Sequence, residues 1–397
     1  MTTSRSRWTR TASSPGYMQC CGVRSSSVLP LSAAALLLGG VLPYALAAQD
    51  SPSSYDDLWR RAELYVDEDN PRIQSVLLSG RFQYEYSTVH DRDLTYDEWN
   101  VRRTRLGLKA RLFDQFTLHV EAGFNPEESD PFYTGLTDAY VQWSRSGPLA
   151  LKAGKQSVAF TMDGSTSSKE LLTIDRSNLA NNMWFPQEYL PGVSASGAAS
   201  NWSYHLGTYS AGERTREFGE FNGGVVAVAT LGYDLSAALG VEEALLRGNY
   251  MHQNPDPQNG FTRQLQHVTS LNFAFEDGRF GVRADVSAAS GHRGQSDLWG
   301  TTFMPFLDLT DELQVVARHT YLSSEEANGV RLPRYENKLT SGLGDRYNEF
   351  YAGINYYLYG HKLKLQGGVK FAGMDDRAGD GGSYSGVSGT TAFRVSW

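Results

Sequence analysis

Cysteine is confined to one place, the adjacent pair Cys20 and Cys21 inside the first 47 residues. A chain that loses this segment keeps none, which excludes a disulfide scaffold and a cysteine-ligated metal. Basic charge is also scarce, with 36 Lys and Arg against 44 Asp and Glu. Removing Arg5, Arg7, Arg10 and Arg24 with the leader leaves 32 against 44, a net charge of −12, so a nucleic-acid partner is not expected. Beyond residue 47 no run approaches the ~18 apolar residues that a spanning helix needs. Any membrane crossing must then be made by strands. Catalytic signatures are missing as well. His119 and His319 fall in strands, but no H-E-x-x-H occurs and no serine stands at nucleophile spacing, which weakens an enzymatic reading. Asp91, Asp93 and Asp97 are acidic without being a calcium loop, since the sixth position holds Tyr96 instead of glycine. Neither a metal nor a cofactor is expected.

The four leader arginines stand without any acidic neighbour, an apolar stretch runs over 28–46, and Ala45-Leu46-Ala47 supplies a small-x-small cleavage pattern. This predicts a signal peptide over 1–47, with Met18 as a second possible start. Pro30 and Pro43 argue against a retained anchor. Residues 48–75 are expected to be a periplasmic lead-in, with one helix over 55–65 stopped by Asp67-Glu68-Asp69-Asn70-Pro71.

From 76 to 397 the expected strands alternate apolar with polar residues. Phe350, Ala352, Ile354, Tyr356 and Leu358 alternate with polar partners. After a Tyr359-Gly360-His361 turn, Leu363, Leu365, Gly367, Val369 and Phe371 do the same, and the chain closes on Phe393, Val395 and Trp397. One apolar face and one wet face is the signature of a strand between hydrocarbon and water. The expected fold is all-β: a transmembrane antiparallel β-barrel of about 16 strands. The connectors alternate too. Short turns such as 113–114, 276–279 and 359–361 follow even strands; long polar loops such as 88–99, 158–191, 323–346 and 372–389 follow odd ones. Short periplasmic turns and long outer loops are typical of such barrels, whereas a soluble β-sandwich gives no reason for this parity. Sixteen strands leave an interior that side chains cannot fill.

Assigning the polar parity to the inside places Arg81, Arg103, Arg105, Lys109, Arg111, Lys152, Arg283, Arg318, Lys364, Lys370 and Arg394 on the inner wall, against Glu85, Glu121, Asp138, Asp285 and Glu349. Eleven basic groups against five acidic ones, in an acidic chain, predict an anion pathway in which arginines at two-residue spacing hand an oxyanion along. The competing reading is a wall whose charges only pair with one another. Arg102 lies on the outward parity and is expected to snorkel at the rim. The long connector 158–191 carries Lys169, Glu170, Asp175, Arg176, Trp184 and Glu188 and is read as a loop folded into the pore. Lys169 and Arg176 then join the pathway, and Leu171, Leu172 and Ile174 form a helical turn against the wall. An outer surface loop is the alternative.

Several stretches carry a resemblance. Val101-Arg102-Arg103-Thr104-Arg105-Leu106-Gly107-Leu108-Lys109-Ala110, the strand over 116–124, Asp138-Ala139-Tyr140, Leu151-Lys152-Ala153-Gly154-Lys155-Gln156, Ser167-Ser168-Lys169-Glu170 and Asp175-Arg176-Ser177 resemble the phosphate-selective porin O/P family, as does Ala352-Gly353-Ile354-Asn355-Tyr356-Tyr357-Leu358. The resemblance implies a sixteen-stranded, trimeric channel in the bacterial outer membrane, bounded by lipid and passing phosphate or related anions. A lysine-rich entrance does not follow, because the long loops carry many acids. A non-selective porin and a non-conducting structural or adhesive barrel remain open at this point.

Overall fold

The computed structural model describes residues 54–128, 130–144, 148–183, 189–211, 217–218, 224–257 and 263–397. The expected signal peptide and the loop residues Trp184 and Glu188 lie outside the described residues. Sixteen long strands form the body: β1 Ile73–Asp91, β2 Leu94–Leu112, β3 Phe116–Phe124, β4 Tyr133–Ser144, β5 Ala150–Ser157, β6 Tyr189–Ala199, β7 Trp202–Ser210 and β8 Val225–Asp234, then β9 Glu243–Gln253, β10 Leu265–Asp277, β11 Phe280–Gly291, β12 Leu298–Asp308, β13 Leu313–Ser323, β14 Arg346–Tyr359, β15 Leu363–Asp375 and β16 Tyr384–Ser396. Each pairs antiparallel with the next. The ring closes through β16 on β1, where Arg394 faces Gln83 and Phe393 faces Tyr84. A closed ring leaves no backbone edge for hydrocarbon to strand without a partner.

The outward positions carry the apolar parity. Leu106, Leu108, Leu231, Leu271, Phe303, Phe350, Phe371 and Leu365 are all exposed. A water-soluble chain would not present so continuous an apolar surface, but lipid tails cover it at no cost. Inward, the same strands bury Gln83, Glu85, Arg318, Glu349, Asn355, Lys364, Gln366 and Arg394. Glycines on the wall make room for inward rings. Gly353 faces Gly368 across β14 and β15, and Tyr351 lies over both; a Cβ at Gly368 would come within 2.2 Å of the Tyr351 hydroxyl.

Four expectations change. The predicted helix over 55–65 is a shorter helix, Ser54–Arg60. Residues Glu63–Val66 form a strand paired to 75–77, where the partner edge is open because β16 runs out near Gly80. The connector 88–99 is no loop: β1 and β2 run on to a tight turn at Arg92 and Asp93, Arg92 taking φ 55. Thr88, Val89, Thr95, Tyr96 and Trp99 favour strand without a lipid face to impose strict alternation. Leu171, Leu172 and Ile174 are buried as expected, but not as a helical turn; among the described residues of this loop the helices are Met162–Ser165 and Asn178–Met183.

Replacing Gly368 with Val would displace the Tyr351 ring that Arg318 overlies at 5.2 Å. The expected cost is about 1–3 kcal/mol, the usual range for overpacking. Denaturant unfolding in detergent micelles measures it, and an unchanged midpoint counts against the ring-over-glycine packing.

Candidate functional site

The lumen is not an open tube lined by a ladder. The segment after β5 enters it, and wall residues of β1 and β13–β16 hold its backbone. Arg81 donates to Ser168 Oγ, and Gln83 donates to the Ser168 carbonyl at 3.0 Å. Lys364 Nζ reaches the Leu171 carbonyl at 2.7 Å, Asn355 reaches that of Leu172 at 2.8 Å, and Arg394 donates to the carbonyl of Ile174. Arg318 donates to Thr173 Oγ1 and to the Asp175 carbonyl, each at 2.8 Å, while pairing with Glu349 at 2.8 Å. From the other side, the Met162 amide donates to Asp285 at 2.8 Å. A loop without a ladder of its own leaves carbonyls that must find donors, and the inner wall supplies them. The constriction reading of this loop agrees with the geometry.

A second segment, 324–345, also folds inward, which the sequence did not suggest. Its Tyr335 hydroxyl donates to Glu85 and accepts from Asn100 Nδ2 at 2.7 Å. Its Glu336 pairs with Lys370 and accepts from Ser388 at 2.9 Å. Arg263 ties both loops together, donating to Asn182 Oδ1 and to the Asn328 carbonyl, each at 2.8 Å. The run Pro333-Arg334-Tyr335-Glu336 reads as a surface loop in sequence; only its wall partners show otherwise.

Between these loops and the β2 wall lies a cavity of about 1080 Å³, lined by Arg102, Arg103, Arg105, Lys155, Arg176, Arg331, Arg334 and Lys338 with the acids Glu98, Glu127, Glu128, Asp175 and Glu217. Arg102 is therefore corrected: it faces the lumen. A β-bulge explains the reversal. Gln83 opposes Arg103 while Tyr84 opposes Val101, so Arg102 is the extra residue, and two successive arginines turn inward. Arg102 Nε lies 3.6 Å from Glu85 and 3.8 Å from Asp175. Arg103 donates to Gln83 Oε1 at 3.0 Å, and Arg105 stacks over Tyr189 with Glu121 at 3.8 Å. Burial would push the Asp175 carboxyl up, but Arg102, Lys370, Arg394 and Arg334 outweigh it and hold the group below the usual carboxylate range. Outside the wall, hydrogen bonds from Lys155, Tyr133 and the Leu136 amide likewise outweigh burial and hold the Glu217 carboxyl low.

The thirteen basic positions expected to form one pathway therefore divide. Arg103, Arg105 and Arg176 line the cavity, and the Arg176 guanidinium also donates to the carbonyls of Asp163 at 2.8 Å and Thr166 at 2.9 Å. Arg81, Arg318, Lys364 and Arg394 grip the first loop, Lys370 grips the second, and Lys169 Nζ reaches the Trp397 carbonyl at 2.8 Å. Arg283 is held by Glu243 at 2.7 Å and Glu276 at 3.2 Å. Lys152 lies over Tyr140, Lys109 is exposed, and Arg111 pairs with Glu68 at the short-turn end. Arg331, Arg334 and Lys338 were absent from the expected set; their only sequence signal was basic spacing in a loop assigned to the surface.

Substituting Lys364 with Met removes one donor to the Leu171 carbonyl while Gln366 and Asn355 keep the neighbouring contacts. Amide exchange over 170–174 is expected to speed up by about tenfold, the equivalent of one ordinary hydrogen bond to a charged group. Unchanged protection would mean that the wall does not hold the loop through this lysine.

A family model described as phosphate-selective porin O and P matches residues 76–297. Solved structures share the architecture: an anion-selective porin from Comamonas acidovorans at 12% identity, covering 81% of this chain and 99% of that one with a TM-score of 0.57; the outer-membrane channel DcaP of Acinetobacter baumannii at 13%, 84% and 100% with 0.55; and OmpT of Vibrio cholerae at 12%, 84% and 100% with 0.53. No curated protein sequence gives a significant match. A closed sixteen-stranded barrel with an apolar exterior and a family match over more than half its length leads to one assignment: this chain belongs to the phosphate-selective porin O and P family.

Proposed function

We propose that this outer-membrane porin passes small anions, phosphate among them, by passive diffusion through the cavity between the β2 arginines and the two inward loops. The observation that carries this reading is the charge of that cavity. Among the described residues eight basic groups face five acidic ones there, in a chain whose total is −8. Low-dielectric walls focus such a field and concentrate oxyanions at the arginines. Consecutive Arg102 and Arg103, with Arg105 on the same strand, offer planar guanidinium forks suited to a phosphoryl or carboxylate oxygen pair. The family description and the anion-selective relative support the same solute class.

A second reading, a non-conducting structural barrel, is supported by the two loops packed inside the wall. Planar-bilayer recording separates the two, since a plugged barrel passes no current. We further propose that the outward Leu, Phe and Val residues meet lipid, that three copies assemble, and that residues 1–47 direct export as a signal peptide.

In a salt gradient the reversal potential is expected to report anion preference. Replacing Arg102 and Arg103 together with Ala should lower the anion-to-cation permeability ratio by roughly fivefold or more, since one unit charge at about 4 Å in water contributes about 1 kcal/mol. Replacing Asp175 with Asn removes one of the five acids and is expected to raise the ratio. Cation preference in the parent protein, or ratios unmoved by both changes, would refute the proposed filter.

A further inference from the structure

Two histidines stand opposite each other on the outer face of the barrel, away from the lumen. His252 on β9 and His267 on β10 are direct cross-strand partners. Each shares a face with exposed apolar neighbours: Tyr250 lies two residues before His252, and Leu271 four residues after His267. The pair sits at the long-loop end of this lipid-facing stripe. The rings lie 4.8 Å apart, and both turn the same nitrogen toward the gap, leaving Nδ1 of His252 3.4 Å from Nδ1 of His267. The Tyr250 hydroxyl is 2.8 Å from that same His267 nitrogen.

Two imidazole N–H groups cannot point at each other across such a gap, so at least one Nδ1 presents a lone pair. A tetrahedral zinc ion holding two imidazoles at about 2.0–2.1 Å sets their nitrogens about 3.3–3.4 Å apart, which is the separation seen here. We propose that His252 and His267 form a chelate for a divalent transition ion of the Zn²⁺ class, with the Tyr250 phenol beside it and water completing the coordination. Both Nδ1 atoms must present lone pairs to the ion, so an N–H in the gap gives way by shifting its proton to Nε2 of the same ring. The strands are already held by their ladder, and little ordering is left to oppose binding. Four residues before His267, Arg263 joins the two inward loops. An ion on this pair would therefore brace the strand end that launches that contact.

The test uses the full chain in detergent micelles with chelator-washed buffers. Zn²⁺ titrated by calorimetry is expected to bind once per chain. His252→Ala and His267→Ala should each weaken that binding tenfold or more, while His319→Ala, on a ring tilted against Phe350, leaves it unchanged. Zinc K-edge absorption of the unaltered protein, which needs no variant to fold, should count two imidazole ligands. Absence of binding, an affinity in either variant equal to that of the parent protein, or a shell without two imidazoles would overturn the proposal.

Discussion

Closure of the backbone ladder is the constraint from which the remaining features follow. In hydrocarbon an unpaired N–H or C=O costs several kcal/mol, so a spanning chain made of strands must leave no edge. The pairing of β16 with β1 meets that demand. It also forces every second side chain inward, where apolar groups would not support a wet interior. The inner wall is polar because the outer wall has to be apolar.

A polar inner wall then becomes a set of docking groups. Two loops fold back into the lumen: carbonyls of the first are met by Gln83, Arg318, Asn355, Lys364 and Arg394, and the Tyr335 and Glu336 side chains of the second are met by Glu85 and Lys370. Basic residues on β1 and β13–β16 thus anchor loops, and Arg102, Arg103 and Arg105 on β2 face the space that the loops leave. The division follows from position: a guanidinium beside a loop carbonyl completes that carbonyl, whereas one across the gap contributes its field to a passing solute. Asp175 sits at the junction, on a loop held by Arg318 while its carboxylate meets Arg102.

The bulge on β2 shows how local irregularity serves the site. Alternation alone puts Arg102 toward lipid, where a charge is costly. One extra residue between Val101 and Arg103 reverses it and places two arginines side by side at the cavity. Pattern reading assumes an unbroken period of two, and it fails where the period slips.

Barrel class, strand number, the parity of short and long connectors outside 88–99 and the entry of the first loop were legible in the sequence, because a lipid face imposes a period of two that few other environments require. The outward leucines and phenylalanines and the inward Glu85, Arg318 and Lys364 could be assigned from that period alone. What the charges do could not. Whether an inward lysine anchors a loop or faces a cavity depends on contacts hundreds of residues away in sequence, such as Lys364 with Leu171 or Tyr335 with Glu85. Alternation records which side of the wall a residue faces; only the tertiary structure decides what meets it there, since the loops that fill the lumen obey no period.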